Sequence, residues 1–442
     1  MSRRVNSVRL AACGHSRNVA GRNGEVAVQG LLGIFVLLGI AWLLGERRRE
    51  VRFLQVAVGI AIQVALAWLL LRVPVVKDGL LTLNHFVYAM ETATMAGTTL
   101  IFGFLGGADI PFQFAEGHGP PLAIFAFRVL PQILVFSVVV AVLWYWRILP
   151  WLIRGFAWTL KKTLGLGGAV GVAAASSVFL GMVESPLVIR AYLNSLSRSE
   201  FFVVITCGMS TVAGSIMVVY ANVLGPVIDG ALGHVLIASV VNVIGAVIIA
   251  RIMVPEQSHA VAGDLADALR YESVMDAVSR GTMDGLRLVA NVASMVIVLV
   301  SLVALVNLLL GVVEVLDAPL KLERILGWAF APVAWLMGVP WAEATDAGTL
   351  LGTKVVLNEL IAYLQFAESG DALSAETRVI LTYALCGFAN FGSLGILIGG
   401  ISILVPDRRS ELLRLGPRAV LSGTLVACLT GTIAGLVVGV GA

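Results

Sequence analysis

The residues that constrain this chain most are polar side chains within two helix-length apolar runs near its C-terminus. Residues 354–400 read KVVLNELIAYLQF, then a polar connection, and then TRVILTYALCGFANFGSLGILIGG, with Asn358, Glu359, Asn390 and Ser393 among the apolar residues. A carboxylate or carboxamide at membrane depth is costly and usually faces a partner or a water-filled cavity. The stretch therefore predicts interrupted membrane helices that line a binding site.

A weaker copy of this stretch lies earlier in the chain. Residues 179–190 read FLGMVESPLVIR, and Glu184 is surrounded by apolar residues much as Glu359 is. The later segment CGMSTVAGS, Cys207 to Ser215, aligns with CGFANFGSL, Cys386 to Leu394, and the Glu-to-Cys spacings are 23 and 27 residues. Paired, interrupted apolar segments in corresponding positions predict a transporter core built from inverted repeats.

Composition places the chain among polytopic membrane proteins. Hydrophobic residues make up 59% and charged residues 13% of the sequence, and the mean hydropathy is +0.95. The four cysteines and five histidines are scattered without disulfide or metal-ligand spacing, so no cofactor is expected. The net charge of +3 sets topology and does not indicate nucleic acid as a partner.

Residues 1–27 form a basic N-terminal tail. It carries arginines but no acidic residue before Glu25, and it lacks the apolar core of a signal peptide. A targeting segment, a cytoplasmic tail and a wrongly assigned start codon all fit this pattern.

The apolar runs predict an all-α polytopic membrane protein with eight transmembrane helices. The expected spans are 28–45, 53–74, 123–146, 201–222, 230–252, 288–313, 378–404 and 419–440. Two further segments, 168–197 with its tip near Met182–Pro186 and 343–367 with Glu359 near its tip, are too interrupted to span and predict re-entrant hairpins. Segments 80–103 and 320–339 read as interfacial helices. The dense basic loops all fall on one side, which is therefore expected to be cytoplasmic, with both termini outside.

Several motifs together identify the family that the sequence resembles. VESPLVIR, STVAGSIMVVYANVLGP, GVPWAEATDAG, LNELIAY and ALCGFANFGSLGILIGG occur in the order and spacing of the concentrative nucleoside transporters. The resemblance runs from about residue 28 to the C-terminus. It implies a homotrimer in which a fixed scaffold surrounds a mobile transport core.

The resemblance also implies a division of the chain into scaffold and core. Residues 28–167 and 288–318 would be scaffold, and 255–287 a polar cytoplasmic loop. Residues 168–254 would form the first core repeat and 319–442 the second.

The same resemblance implies a set of solute-binding residues. Glu359 would accept hydrogen bonds from ribose hydroxyls, Asn390 and Ser393 would also contact the ribose, and Phe388 would line the site. Glu184 would serve the nucleobase and the coupling mechanism, and Ile216 would pack on the base. Structural explanations stay open: Glu359 paired with Lys354 or placed at a helix N-terminus, and Asn390 and Ser393 in helix–helix hydrogen bonds.

This chain departs from the family pattern before Glu184. Met182 and Val183 stand where the family usually has Gln followed by Thr or Ser, and neither side chain can donate a hydrogen bond to a base. A more apolar pocket and an altered base preference are therefore expected, and a purine nucleoside, a modified nucleoside or another ring-bearing solute stays open.

The coupling cation is expected to be sodium. Thr211, with the carbonyls of Val212 and Leu180, matches the family's sodium site, but Ser177 replaces the expected asparagine. Proton coupling through Glu184 or Glu359 is the alternative, because burial disfavours a charged carboxylate.

The sequence thus predicts a symporter, not an enzyme, in a bacterial inner membrane and in contact with its lipid. It would import a nucleoside, or a related small solute, with a cation by an elevator-type movement. A passive channel or sensor of the same fold is the alternative. An intramembrane enzyme is disfavoured because no paired nucleophile and base or metal triad is evident.

Overall fold

A computed structural model describes residues 28–109, 124–256, 270–315 and 318–439, and within these ranges the chain is almost wholly helical. The tail 1–27 lies outside the described residues. One short antiparallel ladder, β1 (Glu314–Val315) with β2 (Ala318–Pro319), is a small departure from the predicted all-α class. The helices, in order, are α1 (Val28–Leu43), α2 (Phe53–Arg72), α3 (Pro74–Phe102), α4 (Phe125–Arg128), α5 (Leu130–Tyr145), α6 (Ile148–Leu164), α7 (Gly168–Ser176), α8 (Glu184–Val188), α9 (Arg198–Ser210), α10 (Gly214–Leu224), α11 (Ala231–Met253), α12 (Val274–Leu310), α13 (Leu322–Leu336), α14 (Trp341–Val356), α15 (Glu359–Ser369), α16 (Ala375–Leu385), α17 (Phe391–Leu404) and α18 (Arg409–Gly439).

Six helical segments of the described chain are long and apolar enough to cross a membrane. They coincide with the second, third, fourth, fifth, sixth and eighth predicted spans. The first predicted span is the shorter helix α1, and the seventh is divided between α16 and α17. Helices α13 and α14 meet at a bend of 118°, and counted as one bent span they would raise the number to seven. The prediction of a polytopic helical membrane protein is confirmed, whereas the count of eight spans stays a prediction.

The polar segment 255–287, which we predicted as a loop, is helical from Val274 onwards. Helix α12 already begins at Val274, inside the expected loop 255–287, because Ser273 caps it by accepting a hydrogen bond from the Asp276 amide at 3.1 Å. Two basic segments are helical as well: α6, which follows the third span, and the first residues of α18, which precede the eighth span. Charged residues here occupy one face of a helix whose other face is apolar, so charge density alone was a poor signal of a helix end.

Burial separates an inner bundle from outer helices. The membrane-length segment of α9 and α10 is 89% buried, and those of α11 and α18 are each 83% buried. The corresponding values for α2, for α4 with α5, and for α12 are only 17%, 22% and 6%. The outer helices α5 and α12 pack closely, because a Cβ at Gly281 would lie 2.9 Å from the Val138 Cα. The inner bundle contains both predicted broken segments and therefore positions the site.

One end of the bundle collects the basic loops. The Glu46 carboxylate forms salt bridges with Arg198 at 2.7 Å and with Arg418 at 2.6 Å. Arg408 donates to the carbonyls of Leu193 and Leu196 at 2.8 Å each. Segments predicted to lie on one side of the membrane thus meet at one face, which we call the basic face.

Candidate functional site

Two helix breaks meet at the centre of the inner bundle. The first separates α9 from α10 at residues 211–213, and the second separates α16 from α17 at 386–390. The Phe388 amide donates to the Thr211 carbonyl at 3.3 Å. Gly387 has a φ of 129°, and a Cβ there would lie 2.6 Å from the Ser210 carbonyl oxygen. Both predicted interruptions are therefore real breaks in the helices, and they lie against each other.

A buried asparagine on α11 ties the two breaks together. Asn242 is 0% exposed. Its Nδ2 donates to the Ser210 carbonyl at 2.7 Å and to the Cys386 carbonyl at 3.2 Å. These carbonyls belong to the ends of α9 and α16, where the helical hydrogen-bond ladder stops and the oxygens need other donors. Asn242 satisfies both ends at once, and the sequence analysis did not single it out.

Glu359 lies at the wall of this centre, as the first residue of α15. The N-cap residue Asn358 accepts a hydrogen bond from the Ile361 amide at 2.9 Å. The Glu359 carboxylate accepts from the Tyr220 hydroxyl at 2.6 Å and from the Asn390 Nδ2 at 2.8 Å. The side chain is 4% exposed, so the two donors and the helix N-terminus together offset the cost of burying its charge.

Asn390 has a second role in the same constellation. It is the N-cap of α17, and its Oδ1 accepts from the Ser393 amide at 2.7 Å. One carboxamide therefore starts the helix with its oxygen and holds the Glu359 carboxylate with its nitrogen. Helices α15 and α17 both begin at this place, and helix N-termini are favourable surroundings for negative charge and for ligand hydroxyl oxygens.

Lys354 does not supply a hydrogen bond to Glu359. Its ammonium group donates to the Ala384 carbonyl at 2.8 Å, in the last turn of α16. A cation is favourable at a helix C-terminus, where carbonyls are unpaired. Lys354 thus caps the helix that leads into the second break. It interacts with Glu359 electrostatically but without a hydrogen bond, whereas Glu359 does lie at a helix N-terminus.

A cavity of about 230 Å³ opens beside the breaks. Its walls include all the residues predicted to bind solute: Met182, Val183, Glu184, Ile216, Glu359, Phe388, Asn390 and Ser393. The opposite wall comes from the outer helices α5 and α12 and includes Ser137, Trp144, Asp284 and Asn291. The site therefore lies between the inner bundle and the outer helices, and the sequence analysis named only its inner half.

The predicted tip of the first hairpin forms one end of the cavity. Residues 177–183 link α7 to the short helix α8, which begins at Glu184. A Cβ at Gly208 would lie 3.2 Å from Met182, and one at Gly400 would lie 2.5 Å from Val183. Glycines on α9 and α17 therefore let this turn pack closely against both helices. The apolar pair borders the cavity, as expected, and Glu184 is exposed to it.

The residues predicted to hold sodium lie in two neighbouring segments. Ser177 and Leu180 are in the turn after α7, and Thr211 and Val212 are in the first break. The Gly214 amide donates to the Phe179 carbonyl at 2.9 Å, which joins the two segments. All four residues are buried. The Ser177 hydroxyl donates to the Ala174 carbonyl at 2.8 Å and the Thr211 hydroxyl to the Cys207 carbonyl at 2.9 Å, so the lone pairs of both oxygens stay available to a cation.

Tyr220 is the contact residue that the sequence analysis missed. It lies in the motif STVAGSIMVVYANVLGP, and a tyrosine inside a buried apolar run usually has a partner for its hydroxyl. This rule could have identified Tyr220 from the sequence as a partner of a buried carboxylate such as Glu359. Its ring also packs on Tyr363 at 4.9 Å between centroids, and the Tyr363 hydroxyl donates to the Thr382 carbonyl at 2.9 Å.

An inner bundle of interrupted helices with a cavity at the helix breaks is the architecture of a membrane transporter, and comparison with known proteins gives the family. Residues 32–105 and 234–435 match the models "Na+ dependent nucleoside transporter N-terminus" and "C-terminus", and 126–227 match "Nucleoside recognition". The chain belongs to the Na+-dependent nucleoside transporter family, so the resemblance drawn from the motifs is confirmed.

Full-length relatives agree with this assignment. The chain is 37% identical to the uncharacterized transporter YutK of Bacillus subtilis, over 92% of this chain and 98% of that protein. It is 34% identical to the nucleoside permease NupC of Helicobacter pylori, over 93% of this chain and 98% of that permease. Among solved structures, CNTnw in an inward-facing substrate-bound state has a TM-score of 0.84 at 37% identity and covers 93% of this chain and 99% of its own.

Proposed function

We propose that this protein is a secondary active symporter that imports nucleosides together with sodium. The observation that carries the proposal is the Glu359 carboxylate, held by Tyr220 at 2.6 Å and Asn390 at 2.8 Å on the wall of a cavity between two helix breaks. An ionised carboxylate has about four lone-pair sites. The two protein donors leave about two of them, which suits the vicinal hydroxyls of a ribose.

The remaining walls suit the other parts of a nucleoside. Asn390 and Ser393 stand next to Glu359 and would contact the ribose. Phe388 and Ile216 would pack on the faces of the sugar and the base. Glu184, at the other end of the cavity, would accept from a ring or exocyclic N–H of the base.

An altered base preference is part of this proposal. Met182 and Val183 border the cavity and offer no hydrogen-bond donor or acceptor of useful strength to a base edge. Discrimination between bases would then depend on shape and on Glu184 alone. A different ring-bearing solute that carries a diol is the second candidate, because the same apolar pair favours it equally.

Sodium is the proposed coupling ion. The hydroxyl oxygens of Ser177 and Thr211, with the carbonyls of Leu180 and Val212, form a set of hard oxygen donors where two helices are interrupted. The family description points the same way. Glu184 would instead carry the proton if the coupling ion were H⁺.

Alternating access is proposed to come from movement of the inner bundle against the outer helices in a homotrimer. The burial of α9 to α11 and of α18, against the exposure of α2, α5 and α12, supports this division. In this proposal 168–197 and 343–367 are the re-entrant hairpins, the spans number eight, and the protein lies in a bacterial inner membrane. The Asn222 to Gln132 hydrogen bond of 2.7 Å joins α10 to α5 and would break during the movement.

The test is uptake of labelled uridine, adenosine and a free nucleobase into proteoliposomes. Each is measured under an inward sodium gradient, an inward proton gradient, and neither. The proposal predicts that a nucleoside accumulates above equilibrium under the sodium gradient alone.

Accumulation under the proton gradient alone would reject sodium coupling and keep the symporter. Equilibration without accumulation would reject the symporter in favour of a channel. Thr211→Val, which removes one proposed sodium ligand, should raise the sodium concentration needed for half-maximal uptake. Thr159→Val serves as the matched control, because Thr159 is exposed on α6 and its hydroxyl donates the same kind of hydrogen bond, to the Gly155 carbonyl at 3.0 Å.

A further inference from the structure

A second cavity, of about 640 Å³, lies at the basic face. It is bounded by the start of α2, the connection between α6 and α7, the start of α9 and the end of α11. None of the residues assigned above to the solute or to sodium lines it. It is therefore separate from the proposed solute and sodium sites.

The lining changes from charged to apolar along the helices. Glu50 and Arg52 precede α2, and Arg251 and Glu256 lie at the end of α11. Within the next two helical turns the same two helices present mainly apolar groups to the cavity: Leu54, Val56 and Val58 from α2, with Gln55 among them, and Val247 and Ile248 from α11. A charged rim above an apolar interior is the polarity profile of a phospholipid at a membrane surface.

The apolar part opens to the outer surface of the chain. Leu54 is 78% exposed and Val58 47% exposed although both line the cavity. Only 17% of the residues in the membrane-length segment of α2 are buried within the chain. A chain entering from the bilayer could therefore lie along α2 without crossing the protein.

The rim carries both signs of charge in close proximity. Arg251 donates to the Leu164 carbonyl at 2.8 Å and interacts electrostatically with Arg52, Glu200 and Glu256.

All three rim carboxylates already have partners. Glu200 is the N3 residue of a capping box with Ser197, the Ser197 hydroxyl also donates to Glu256 at 3.0 Å, and Glu50 lies 3.7 Å from Arg47. A ligand would therefore share these carboxylates, each of which has about four lone-pair sites. An anionic headgroup would meet the carboxylates, and a simple cation would meet the guanidinium groups. A zwitterion satisfies both.

We propose that this cavity binds a zwitterionic aminophospholipid of the phosphatidylethanolamine class. The phosphate lies against Arg52 and Arg251, and the primary ammonium lies against Glu50 and Glu256, to which it can donate hydrogen bonds. An acyl chain follows the exposed apolar face of α2. A choline headgroup lacks the N–H donors and fits less well, and a glycerol headgroup lacks the cation.

The test is native mass spectrometry of the full-length transporter after reconstitution in nanodiscs that contain equal phosphatidylethanolamine, phosphatidylcholine and phosphatidylglycerol. The wild type should retain phosphatidylethanolamine in preference to the other two. The double variant Arg52→Gln with Glu256→Gln should reduce that preference roughly five- to tenfold, since it removes one charged contact to each end of the headgroup. Arg49→Gln, in the same basic loop but outside the cavity, should leave it unchanged.

Three outcomes overturn the proposal. Equal retention of the three lipids would show no headgroup selection, and a preference for phosphatidylglycerol would assign the site to an anion. An unchanged phosphatidylethanolamine preference in the double variant would place the bound lipid elsewhere. Soluble glycerophosphoethanolamine, added in a further arm, should not displace the lipid completely at millimolar concentration, because it lacks the acyl chain. Complete displacement would contradict the proposal that the occupant is a phospholipid.

Discussion

Glu359→Gln combined with the removal of one ribose hydroxyl tests how the carboxylate binds solute. In the free protein the carboxylate accepts from Tyr220 at 2.6 Å and Asn390 at 2.8 Å. The proposal assigns its remaining lone pairs to the two ribose hydroxyls. Glutamine is the same size but neutral, and its amide nitrogen cannot accept.

The expected magnitude follows from the strength of one hydrogen bond with and without charge. A hydrogen bond to a charged group contributes about 2 kcal/mol and a neutral one about 1 kcal/mol. Loss of one hydroxyl from the nucleoside should therefore weaken binding roughly thirtyfold in the wild type but only roughly fivefold in the variant. The difference, about 1 kcal/mol, is the coupling between the charge and the hydroxyl.

Isothermal titration of ribonucleoside and deoxynucleoside into wild type and variant gives all four dissociation constants. General damage to the site by the substitution cancels, because only the deoxy-to-ribo ratio within each protein is compared. Glu184→Gln is the matched control, since its carboxylate is assigned to the base, and it should leave the ratio unchanged. A deoxy-to-ribo ratio that is the same in wild type and Glu359→Gln would refute the assignment of Glu359 to the ribose.

Three further predictions concern the scaffold of the site. Gly387→Ala should lower the melting temperature, at a cost of about 1–3 kcal/mol. Alanine is strained at a φ of 129°, and its Cβ would lie 2.6 Å from the Ser210 carbonyl oxygen. The control Gly395→Ala should not lower the melting temperature, because a Cβ there has no neighbour within 4 Å. Asn242→Ala should cost about 1–3 kcal/mol in thermal unfolding by leaving the carbonyls at two helix ends unpaired, and an unchanged melting temperature would contradict that role. At the basic face, the hydrogen bond from Arg198 lowers the pKa of Glu46 below its ordinary value of 4.5. Glu46→Gln should therefore destabilise the protein at neutral pH, and this destabilisation should disappear as the pH falls below 4.5 and the Glu46 carboxylate of the wild type becomes protonated. A destabilisation that persists at lower pH would argue against the ion pair.

The location of the site could be predicted from the sequence because membrane interiors tolerate few polar groups. Glu359, Asn390 and Glu184 were conspicuous within apolar runs, and the repeated Cys-Gly segments marked both helix breaks. All three side chains line one cavity. The pattern of polar residues was informative because each polar side chain at membrane depth needs a partner or a water-filled cavity to offset the cost of its burial.

The partners of these residues were harder to predict. Asn242 lies in an apolar helix far along the chain from both carbonyls that it satisfies, and no local pattern joins it to them. Asp284, on the opposite cavity wall, was missed because the start of α12 reads as a polar loop. Asn291 lies within the sixth predicted span, but the sequence pattern did not show which helices that span faces. Periodicity predicts which face of a helix is buried, but it does not tell which distant helix covers that face.

The most direct measurement for the central claim is equilibrium binding of uridine and adenosine to the purified protein and to the variants Glu359→Gln and Asn390→Ala. The wild type should bind at least one of the two nucleosides. Glu359→Gln should bind it at least tenfold more weakly, since the carboxylate charge strengthens the hydrogen bonds to both ribose hydroxyls. Asn390→Ala should bind it roughly fivefold more weakly, since it removes a neutral hydrogen bond of about 1 kcal/mol. Undiminished binding in both variants would contradict the claim that the solute is held where the two broken helices meet.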